Sequence, residues 1–191
     1  MTNVYLIRHA EAEPNVESKI RPLTDEGWEE SKKVTRFLCD KNIDVVFSSP
    51  YRRCVDTLMG FFVAKKLEMK KDDRFCERKR NSYMHFPMDV FEPLMRSLWS
   101  DFYYRPEEGE ESLADLQTRS VSALKEILDN YIGKNIVIGI HSITMHSILY
   151  NYNHKYGVDS FLSNLGKMPW IVKMSFEKQT CIGLEEIDLP T

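Results

Sequence analysis

The chain has 191 residues, of which 42% are hydrophobic and 29% charged, which suits a single globular domain over residues 1–191 with a core large enough to fold alone. Its formal net charge of −3 excludes a general attraction to nucleic acid or to an anionic membrane, while leaving room for a local basic pocket. The four cysteines show no C-x-x-C spacing, so we predict no zinc site. No signal sequence precedes Val4 and no apolar run could cross a bilayer, so we predict a cytoplasmic location.

The first predicted element is a short strand. Four consecutive apolar residues, 4–7, are typical of a strand buried on both faces, and Arg8 and His9 follow at once. In open α/β sheets, ligands bind at the carboxyl ends of the strands. Arg8 has a fixed fork of donors suited to phosphate or carboxylate, and His9 can be a base, a nucleophile or a ligand near neutral pH. This strand end is therefore either a ligand site or an ordinary end with two solvated polar residues.

The next predicted elements alternate between helix and strand. Thr24 is a typical N-cap for a helix that runs to about Asp40, and residues 44–48 form a second buried strand. Ser49 followed by Pro50 predicts a further helix with Ser49 as its N-cap, ending near residue 67. The order β-α-β-α predicts a parallel sheet.

Between residues 65 and 108 the pattern changes. The chain is basic and hydrophilic up to residue 80, with a third strand predicted around residues 74–76. Residues 81–105 are rich in aromatic and apolar side chains, and Pro87 can open a helix with one apolar face. We interpret residues 78–108 as a helical insertion that caps the strand ends; the alternative is that its aromatic side chains complete the core.

The second half of the chain returns to helices and strands. A helix is predicted from Ser112, after an acidic stretch, with Gly133 ending it. Residues 135–140 are the clearest strand; it ends at His141, and Ser142 is a natural N-cap for the next helix. Residues 170–176 and 180–187 predict two more strands, the second at a sheet edge. The whole pattern predicts a three-layer α/β fold, with a mostly parallel central sheet and helices on both faces.

Three predicted strands therefore end in polar side chains, at residues 8–9, 48–49 and 141–142. The carboxyl ends of neighbouring parallel strands lie at one edge of a sheet. Two of these strands lead into helices whose N-termini offer free N–H groups to an anion, and Arg52 and Arg53 lie in the first turn of one of them. So many positive groups would repel each other without a negative ligand, and a phosphoryl group is the natural candidate.

Five motifs, spread in order from residue 4 to about 150, resemble those of the histidine phosphatase superfamily, also called phosphoglycerate mutase-like. They are L-I-R-H-A-E at 6–11, L-T-D-E-G at 23–27, S-S-P-Y-R-R-C-V-D-T at 48–57, G-E-E-S at 109–112, with one residue more than the family's G-E-S turn, and I-G-I-H-S at 138–142.

The resemblance implies roles for four residues. His9 matches the nucleophile that becomes phosphohistidine, and Arg8 and Arg53 match the arginines that clamp the phosphate. Arg53, rather than its neighbour Arg52, is in register with the family arginine. His141 matches the second histidine, which contacts the phosphoryl oxygens.

The resemblance also implies two further site residues. Glu77 lies where the family often has its proton donor, and Asn15 lies where an asparagine often touches the phosphate. The alternative for Glu77 is a solvated surface acid. His146 and His154 are expected at the surface and not as ligands. His85 lies in the cap, and for it an ordinary structural role is favoured over the alternative, a contact with substrate.

Together these observations predict a phosphatase that hydrolyses phosphate monoesters through a phosphohistidine on His9. The expected partner is a small-molecule phosphate ester, with no metal or other cofactor, no nucleic acid and no membrane; the oligomeric state is left open. Two alternatives remain. The first is a phosphoglycerate mutase-type phosphotransferase, which needs a second basic pocket; residues 78–80 could supply it. The second is a non-catalytic phospholigand-binding module. Ala12 in place of serine, Ser142 in place of glycine and the absence of the mutase run E-R-H-Y-G at residues 77–81 favour the phosphatase.

Overall fold

The computed structural model of the protein describes residues 1–14, 16–81 and 87–189. The strands are β1 (Thr2–Arg8), β2 (Val45–Ser48), β3 (Met69–Lys71), β4 (Asn135–Ile140), β5 (Trp170–Glu177) and β6 (Thr180–Ile187). The helices are α1 (Asp25–Cys39), α2 (Arg52–Ala64), α3 (Met88–Ser100), α4 (Leu113–Asn130), α5 (Ser142–Tyr152) and α6 (Val158–Ser163). Within the described ranges no helix is long and apolar enough to cross a membrane.

The six strands form one mixed sheet in the order β3-β2-β4-β1-β5-β6. Both β1 and β2 pair in parallel with β4, and β3 pairs in parallel with β2. In contrast, β5 runs antiparallel to β1, and β6 antiparallel to β5 at the sheet edge. The predicted mostly parallel sheet and the edge position of residues 180–187 are confirmed. The carboxyl ends of β1, β2 and β4 therefore lie along one edge.

Helices cover both faces of the sheet, because successive side chains of its central strands point to opposite sides. On one face, Leu6 and Ile138 are buried in a cluster with residues of α4 and α5. On the other face, Ile7 and Val137 are buried with residues of α1 and α2. Burying each of these side chains is worth about 1.5–3 kcal/mol. The predicted three-layer α/β architecture is confirmed.

The prediction of a strand at residues 74–76 is wrong. The third strand is β3, and the chain then turns through a short 3₁₀ helix, Asp73–Phe75. Asp72 stabilises this turn, because its carboxylate accepts hydrogen bonds from the Arg74 backbone N–H at 2.9 Å and from the Arg74 guanidinium at 2.7 Å. Phe75 is fully buried against the sheet, so its apolar character reflects the core and not a strand.

Two predicted helix starts are displaced. Helix α2 begins at Arg52, because Ser49 still pairs with the sheet: its N–H donates to the Gly139 carbonyl at 2.9 Å. The N-cap of α5 is His141, and Ser142 is already the first residue of that helix.

Two other helices begin as predicted. Thr24 caps α1, with its hydroxyl accepting a hydrogen bond from the Gly27 N–H at 3.0 Å. Ser112 caps α4 through a reciprocal capping box with Asp115. Each cap is worth about 1 kcal/mol. After α4, Gly133 has φ 78°, a left-handed conformation that favours glycine in the turn into β4.

The segment between β3 and α4 packs mainly through α3. Met95 and Leu98 are buried in a cluster that also contains Leu113, Leu116, Ile143 and Phe161. Tyr103 and Tyr104 turn to solvent, with 81% and 39% of their surface exposed. The aromatic side chains of this segment are therefore divided between core and solvent. Residues 82–86, with His85, lie outside the described residues.

Candidate active site

The ends of β1 and β4 place two histidines side by side. The pairing of these strands extends past β1, because the His9 N–H donates to the Ile140 carbonyl at 3.1 Å. The rings of His9 and His141 are 5.4 Å apart between centroids, at an angle of 64°. The predicted meeting of these strand ends is confirmed.

His9 is oriented by one hydrogen bond. Its Nδ1 lies 2.8 Å from the Ala10 carbonyl, which can only accept, so Nδ1 carries the proton and Nε2 keeps its lone pair. The Ala10 N–H donates to the Thr57 hydroxyl at 2.9 Å, which fixes this loop on α2. Burial, and then the charges of Arg53 and Arg8, hold the pKa of His9 well below its usual 6.5. The ring is therefore neutral at neutral pH, the form in which a histidine is nucleophilic.

Arg8 is buried at the end of β1. Its Nη1 donates to the carbonyl oxygens of Asn164 and Lys167 at 2.9 and 3.0 Å. Its Nε has no hydrogen-bond partner in the described part of the chain. Burial lowers the pKa of Arg8 to about 10, so the group stays charged at neutral pH. A buried donor without an acceptor is costly, and a phosphoryl oxygen beside His9 would satisfy it.

Arg53 lies in the first turn of α2 and is also buried. Its Nη1 donates to the Ser18 carbonyl at 2.6 Å, and its Nη2 donates to His141 Nδ1 at 2.9 Å. Arg52 has 56% of its side chain exposed and pairs with Asp56 at 3.2 Å. Of these two arginines, Arg53 alone lines the cavity of the site, in agreement with the register of the family motif.

His141 is fully buried behind Tyr51, whose ring centroid lies 5.0 Å away. Because a guanidinium can only donate, His141 Nδ1 accepts from Arg53, and its Nε2–H donates to the Ser49 hydroxyl at 2.8 Å. Burial and the charge of Arg53 hold the pKa of His141 well below its usual value, so the ring is neutral. Both ring nitrogens are engaged by protein groups, and in this arrangement His141 orients Arg53. Its contact with phosphoryl oxygens stays a prediction.

Glu77 lies against the N-terminus of α5. Its carboxylate accepts hydrogen bonds from the backbone N–H groups of Ile143 at 3.1 Å and Thr144 at 3.2 Å, and from the Thr144 hydroxyl at 3.1 Å. A helix N-terminus favours a negative group. Glu77 is half-buried and lines the cavity, so it is not the solvated surface acid that was its alternative.

Glu77 lies beside two ion pairs that were not predicted from the sequence. Arg78 pairs with Glu110 at 3.1 Å, with 1% and 8% of the two side chains exposed. Arg119, from α4, bonds Glu111 at 2.9 Å and the Glu77 carbonyl at 3.2 Å. The available signal was the G-E-E-S motif, since both acids belong to it. These pairs anchor the Glu77 segment to the turn before α4.

His146 is not at the surface, as was predicted, but fully buried in α5. Its ring stacks on Trp170 at 4.7 Å, and its Nδ1 donates to the Ser142 carbonyl at 2.9 Å. Burial lowers the pKa of His146 to about 4, which keeps it neutral. His154 is exposed, as predicted.

Arg8, His9, Arg53 and Glu77 line a cavity of about 850 Å³, a volume usual for pockets that enclose drug-sized ligands. Its basic part includes Lys19, Arg21, Lys79 and Arg80, and its apolar part includes Met88, Phe91, Phe161, Leu165 and Met168. Among the described residues, no group of three or more His, Cys, Asp or Glu side chains could hold a metal ion. Asn15 lies outside those residues, so its contact with phosphate stays a prediction.

A model of the histidine phosphatase superfamily (branch 1) matches residues 4–171, most of the chain. The chain belongs to this superfamily. The matched region contains Arg8, His9, Arg53, Glu77 and His141, and therefore every described residue to which the resemblance gave a role.

Other members of the superfamily that resemble this chain include phosphatases and a mutase. The chain is 29% identical over 160 residues to phosphoserine phosphatase 1 of Hydrogenobacter thermophilus, covering 78% of this chain and 74% of that protein. It is 25% identical over 164 residues to the 2,3-bisphosphoglycerate-dependent phosphoglycerate mutase of Rhizobium etli, covering 78% of each protein. The structure of Entamoeba histolytica phosphoserine phosphatase in complex with 3-phosphoglyceric acid superposes with a TM-score of 0.78 at 17% identity, covering 95% of this chain and 94% of that one. At this identity the superposition establishes the fold.

Proposed function

We propose that this protein is a phosphatase that hydrolyses phosphate monoesters through a phosphohistidine on His9, without a metal ion. The observation that carries the proposal is the state of His9: its Nδ1 is held by the Ala10 carbonyl, and its Nε2 keeps a lone pair and forms no hydrogen bond with a described residue. Arg8 and Arg53 line the same cavity and supply positive charge where the equatorial oxygens of a transferring phosphoryl group would lie.

In the first step the Nε2 lone pair of His9 attacks phosphorus, and the bond to the leaving oxygen breaks as the N–P bond forms. The Glu77 carboxyl group donates a proton to the leaving oxygen, so that the alcohol departs neutral. In the second step the Glu77 carboxylate takes a proton from water as the water oxygen attacks phosphorus. The N–P electron pair returns to Nε2 and inorganic phosphate is formed. Glu77 regains the proton that it gave.

Arg8 and Arg53 bind the phosphoryl oxygens in both steps. Arg8 offers its Nε, which has no hydrogen-bond partner among the described residues, and Arg53 is held in place by Ser18 and His141. We retain for His141 and Asn15 the predicted contacts with the phosphoryl oxygens. A positively charged, preorganised site of this kind lowers the barrier to phosphoryl transfer by stabilising its developing charge.

We propose further that residues 78–108 cap this site within a single domain. Trp99 of α3 stacks on Phe161 with 5.1 Å between ring centroids, and Met88 and Phe91 line the cavity. This apolar part of the cavity favours a leaving group with apolar surface.

We expect the purified protein to turn over p-nitrophenyl phosphate many times, and to do so equally in EDTA. The physical reason is that Arg8 and Arg53 supply the charge that a metal ion would otherwise bring. Release of p-nitrophenolate measures this directly. Activity that is lost in EDTA and restored by a divalent ion would contradict metal independence. An absence of any turnover would favour the binding module, and phosphate transfer between the two phosphoglycerates that outpaces hydrolysis would favour the mutase.

Adjacent arginines offer a matched test of the phosphate clamp. Arg53→Gln should lower kcat/KM for phosphate esters by about 10- to 100-fold, the size of a lost charge-assisted hydrogen bond. Arg52→Gln removes the same charge one residue earlier, from a side chain that is largely exposed, and should stay within about twofold of the wild type. Similar losses in both variants would mean that Arg53 acts through general electrostatic attraction and not as a clamp.

A further inference from the structure

Thr57, the last residue of the motif at residues 48–57, has no role in the proposed reaction. It lies in the second turn of α2, with 1% of its surface exposed. A buried hydroxyl is unfavourable unless it forms hydrogen bonds, and a valine would fill almost the same volume without one. The hydrogen bonds of the Thr57 hydroxyl therefore indicate why a threonine occupies this position.

The Thr57 hydroxyl joins the loop after β1 to the first turn of α2. It accepts a hydrogen bond from the Ala10 N–H at 2.9 Å and donates its proton to the Arg53 carbonyl at 2.6 Å. Because a hydroxyl has only one proton, the bond to Arg53 leaves the oxygen to act as an acceptor for Ala10. Ala10 is fully buried, so its N–H would lose its acceptor if the hydroxyl were removed.

A threonine in α4 shows that the bond within the helix does not explain the residue. The Thr118 hydroxyl also donates to a carbonyl four residues earlier, that of Ala114, at 2.7 Å. Thr118 is exposed, and its hydroxyl accepts no hydrogen bond from a described residue. Such a bond slightly destabilises a helix. What distinguishes Thr57 is therefore the bond that it accepts from the loop of His9.

One hydrogen bond holds the backbone on each side of His9. On the N-terminal side, the His9 N–H donates to the Ile140 carbonyl of β4 at 3.1 Å. On the C-terminal side, Thr57 holds the peptide group between His9 and Ala10, and this is the one bond of the two that uses a side chain. The His9 ring then turns back onto the same loop, where its Nδ1–H donates to the Ala10 carbonyl at 2.8 Å. A rotation of Ala10 would move the acceptor that selects the tautomer of His9.

We propose that Thr57 is a positioning residue, whose hydroxyl fixes the Ala10 backbone and thereby keeps the proton of neutral His9 on Nδ1. On this inference, which rests on the proposed phosphatase function, the Nε2 lone pair stays directed at phosphorus. The same hydroxyl ties the loop of the nucleophile to the turn of α2 that carries Arg53. Misplacing a reacting group by about 1 Å can cost about 10²-fold in rate.

Substitutions of Thr57 separate its hydroxyl from its shape. Thr57→Val keeps the branched shape and removes the hydroxyl, whereas Thr57→Ser keeps the hydroxyl and removes a methyl group. Thr118→Val is the matched control, because it removes a bond within a helix and no bond to the site. Each variant is compared with the wild type by its kcat/KM on p-nitrophenyl phosphate, its Kd for inorganic phosphate and the nitrogen NMR of its histidine side chains. The His9 signal is the one that His9→Ala lacks.

We expect Thr57→Val to lower kcat/KM by about 10- to 100-fold, and Thr57→Ser and Thr118→Val to stay within about threefold of the wild type. The Kd for inorganic phosphate should change less than about threefold in Thr57→Val, because other groups hold the side chains of Arg8 and Arg53. The proton of neutral His9 should lie on Nδ1 in the wild type and be shared between Nδ1 and Nε2 in Thr57→Val.

A Thr57→Val protein with wild-type kcat/KM would overturn the proposal, as would one that loses activity while the His9 proton stays on Nδ1. A loss in Thr57→Ser as large as that in Thr57→Val would also overturn it, because the hydroxyl would then not be the group that matters. If Thr57→Val does not fold, Thr57→Cys takes its place, since a thiol is only a weak acceptor, and the same two outcomes decide.

The NMR measurement keeps this inference separate from the phosphatase function. A wild type that hydrolyses no phosphate ester, with a His9 tautomer that depends on Thr57, would refute the phosphatase function and keep the role of Thr57. A wild type that turns over, with a His9 tautomer that does not depend on Thr57, would refute the role of Thr57 alone.

Discussion

A His9→Ala variant is expected to fold normally and to hydrolyse phosphate esters at least about 10⁴-fold more slowly than the wild type, in line with the loss of a covalent nucleophile elsewhere. Among the described residues that line the cavity with Arg8 and Arg53, His9 is the only histidine. The fold should persist, because the one hydrogen bond that the His9 side chain makes with a described residue lies within its own loop and is worth about 1 kcal/mol. Steady-state kinetics and a thermal melt on the same preparation measure both quantities.

His154→Ala is the matched control for this change. His154 is exposed in a short 3₁₀ helix and lines no part of the cavity, so its loss should leave kcat/KM within about twofold. A folded His9→Ala protein with activity close to that of the His154→Ala protein would refute His9 as the nucleophile.

The second large effect is expected at Glu77, and its size should depend on the leaving group. General acid help is worth about 10²–10⁴-fold, and an alkoxide needs it far more than a nitrophenolate. Glu77→Gln should therefore lose about 10²–10⁴-fold in kcat/KM on alkyl phosphates and much less on p-nitrophenyl phosphate. The comparison uses kcat/KM because base assistance in the second step affects kcat for both substrates.

The ratio of the loss in kcat/KM on alkyl phosphates to the loss on p-nitrophenyl phosphate distinguishes lost proton donation from a structural change around residue 77. A glutamine places an amide group where one carboxylate oxygen accepts from the N-terminus of α5, so part of the loss is structural, and that part is common to both substrates. Glu108→Gln is the control, because Glu108 is exposed in the acidic run before α4. Equal losses on the two substrates would make Glu77 a positioning residue. The acid would then lie elsewhere, although Glu110 and Glu111 are already engaged by Arg78 and Arg119.

The sequence predicts the central sheet well because a buried parallel strand has a simple sequence pattern, an apolar run followed by polar residues. Residues 4–7 and 136–140 are apolar runs, and the polar residues that follow them mark the carboxyl edge of the sheet. Strand β3 leaves no such trace, because an edge strand of three residues carries two lysines and is half solvated. An apolar residue such as Phe75 suits a buried strand, but it suits any other buried conformation equally well. Phe75 is buried here as part of a 3₁₀ helix.

Helix α5 shows the same limit for side chains. His146 was predicted at the surface because a polar residue on a helix is usually solvated. This helix is buried on nearly all sides, so its sequence has no polar face that could mark which residues point inward.

The supporting parts of the site were harder to predict than its central residues. Arg8, His9 and His141 are adjacent to strand ends, so topology brings them together. The sequence predicts Ser49 as a helix cap, whereas in the structure its hydroxyl accepts a hydrogen bond from the Nε2–H of His141 at 2.8 Å. Contacts between residues so far apart in sequence leave no periodic signal. The sequence predicts one basic patch at residues 78–80. In the structure Arg78 lies in a buried ion pair, Lys79 is exposed, and Arg80 is half-buried and forms no ion pair with a described residue.

The most direct test of the central claim is the location of the phosphoryl group on the enzyme during turnover. Wild-type protein is quenched in alkali, which preserves phosphohistidine, while it hydrolyses a radiolabelled phosphate ester; peptide mapping and phosphorus NMR then locate the label. We expect the label on His9 at Nε2, because Nδ1 carries a proton that is donated to the Ala10 carbonyl at 2.8 Å. Label on another residue, label on Nδ1 of His9, or turnover with no labelled protein would contradict the account.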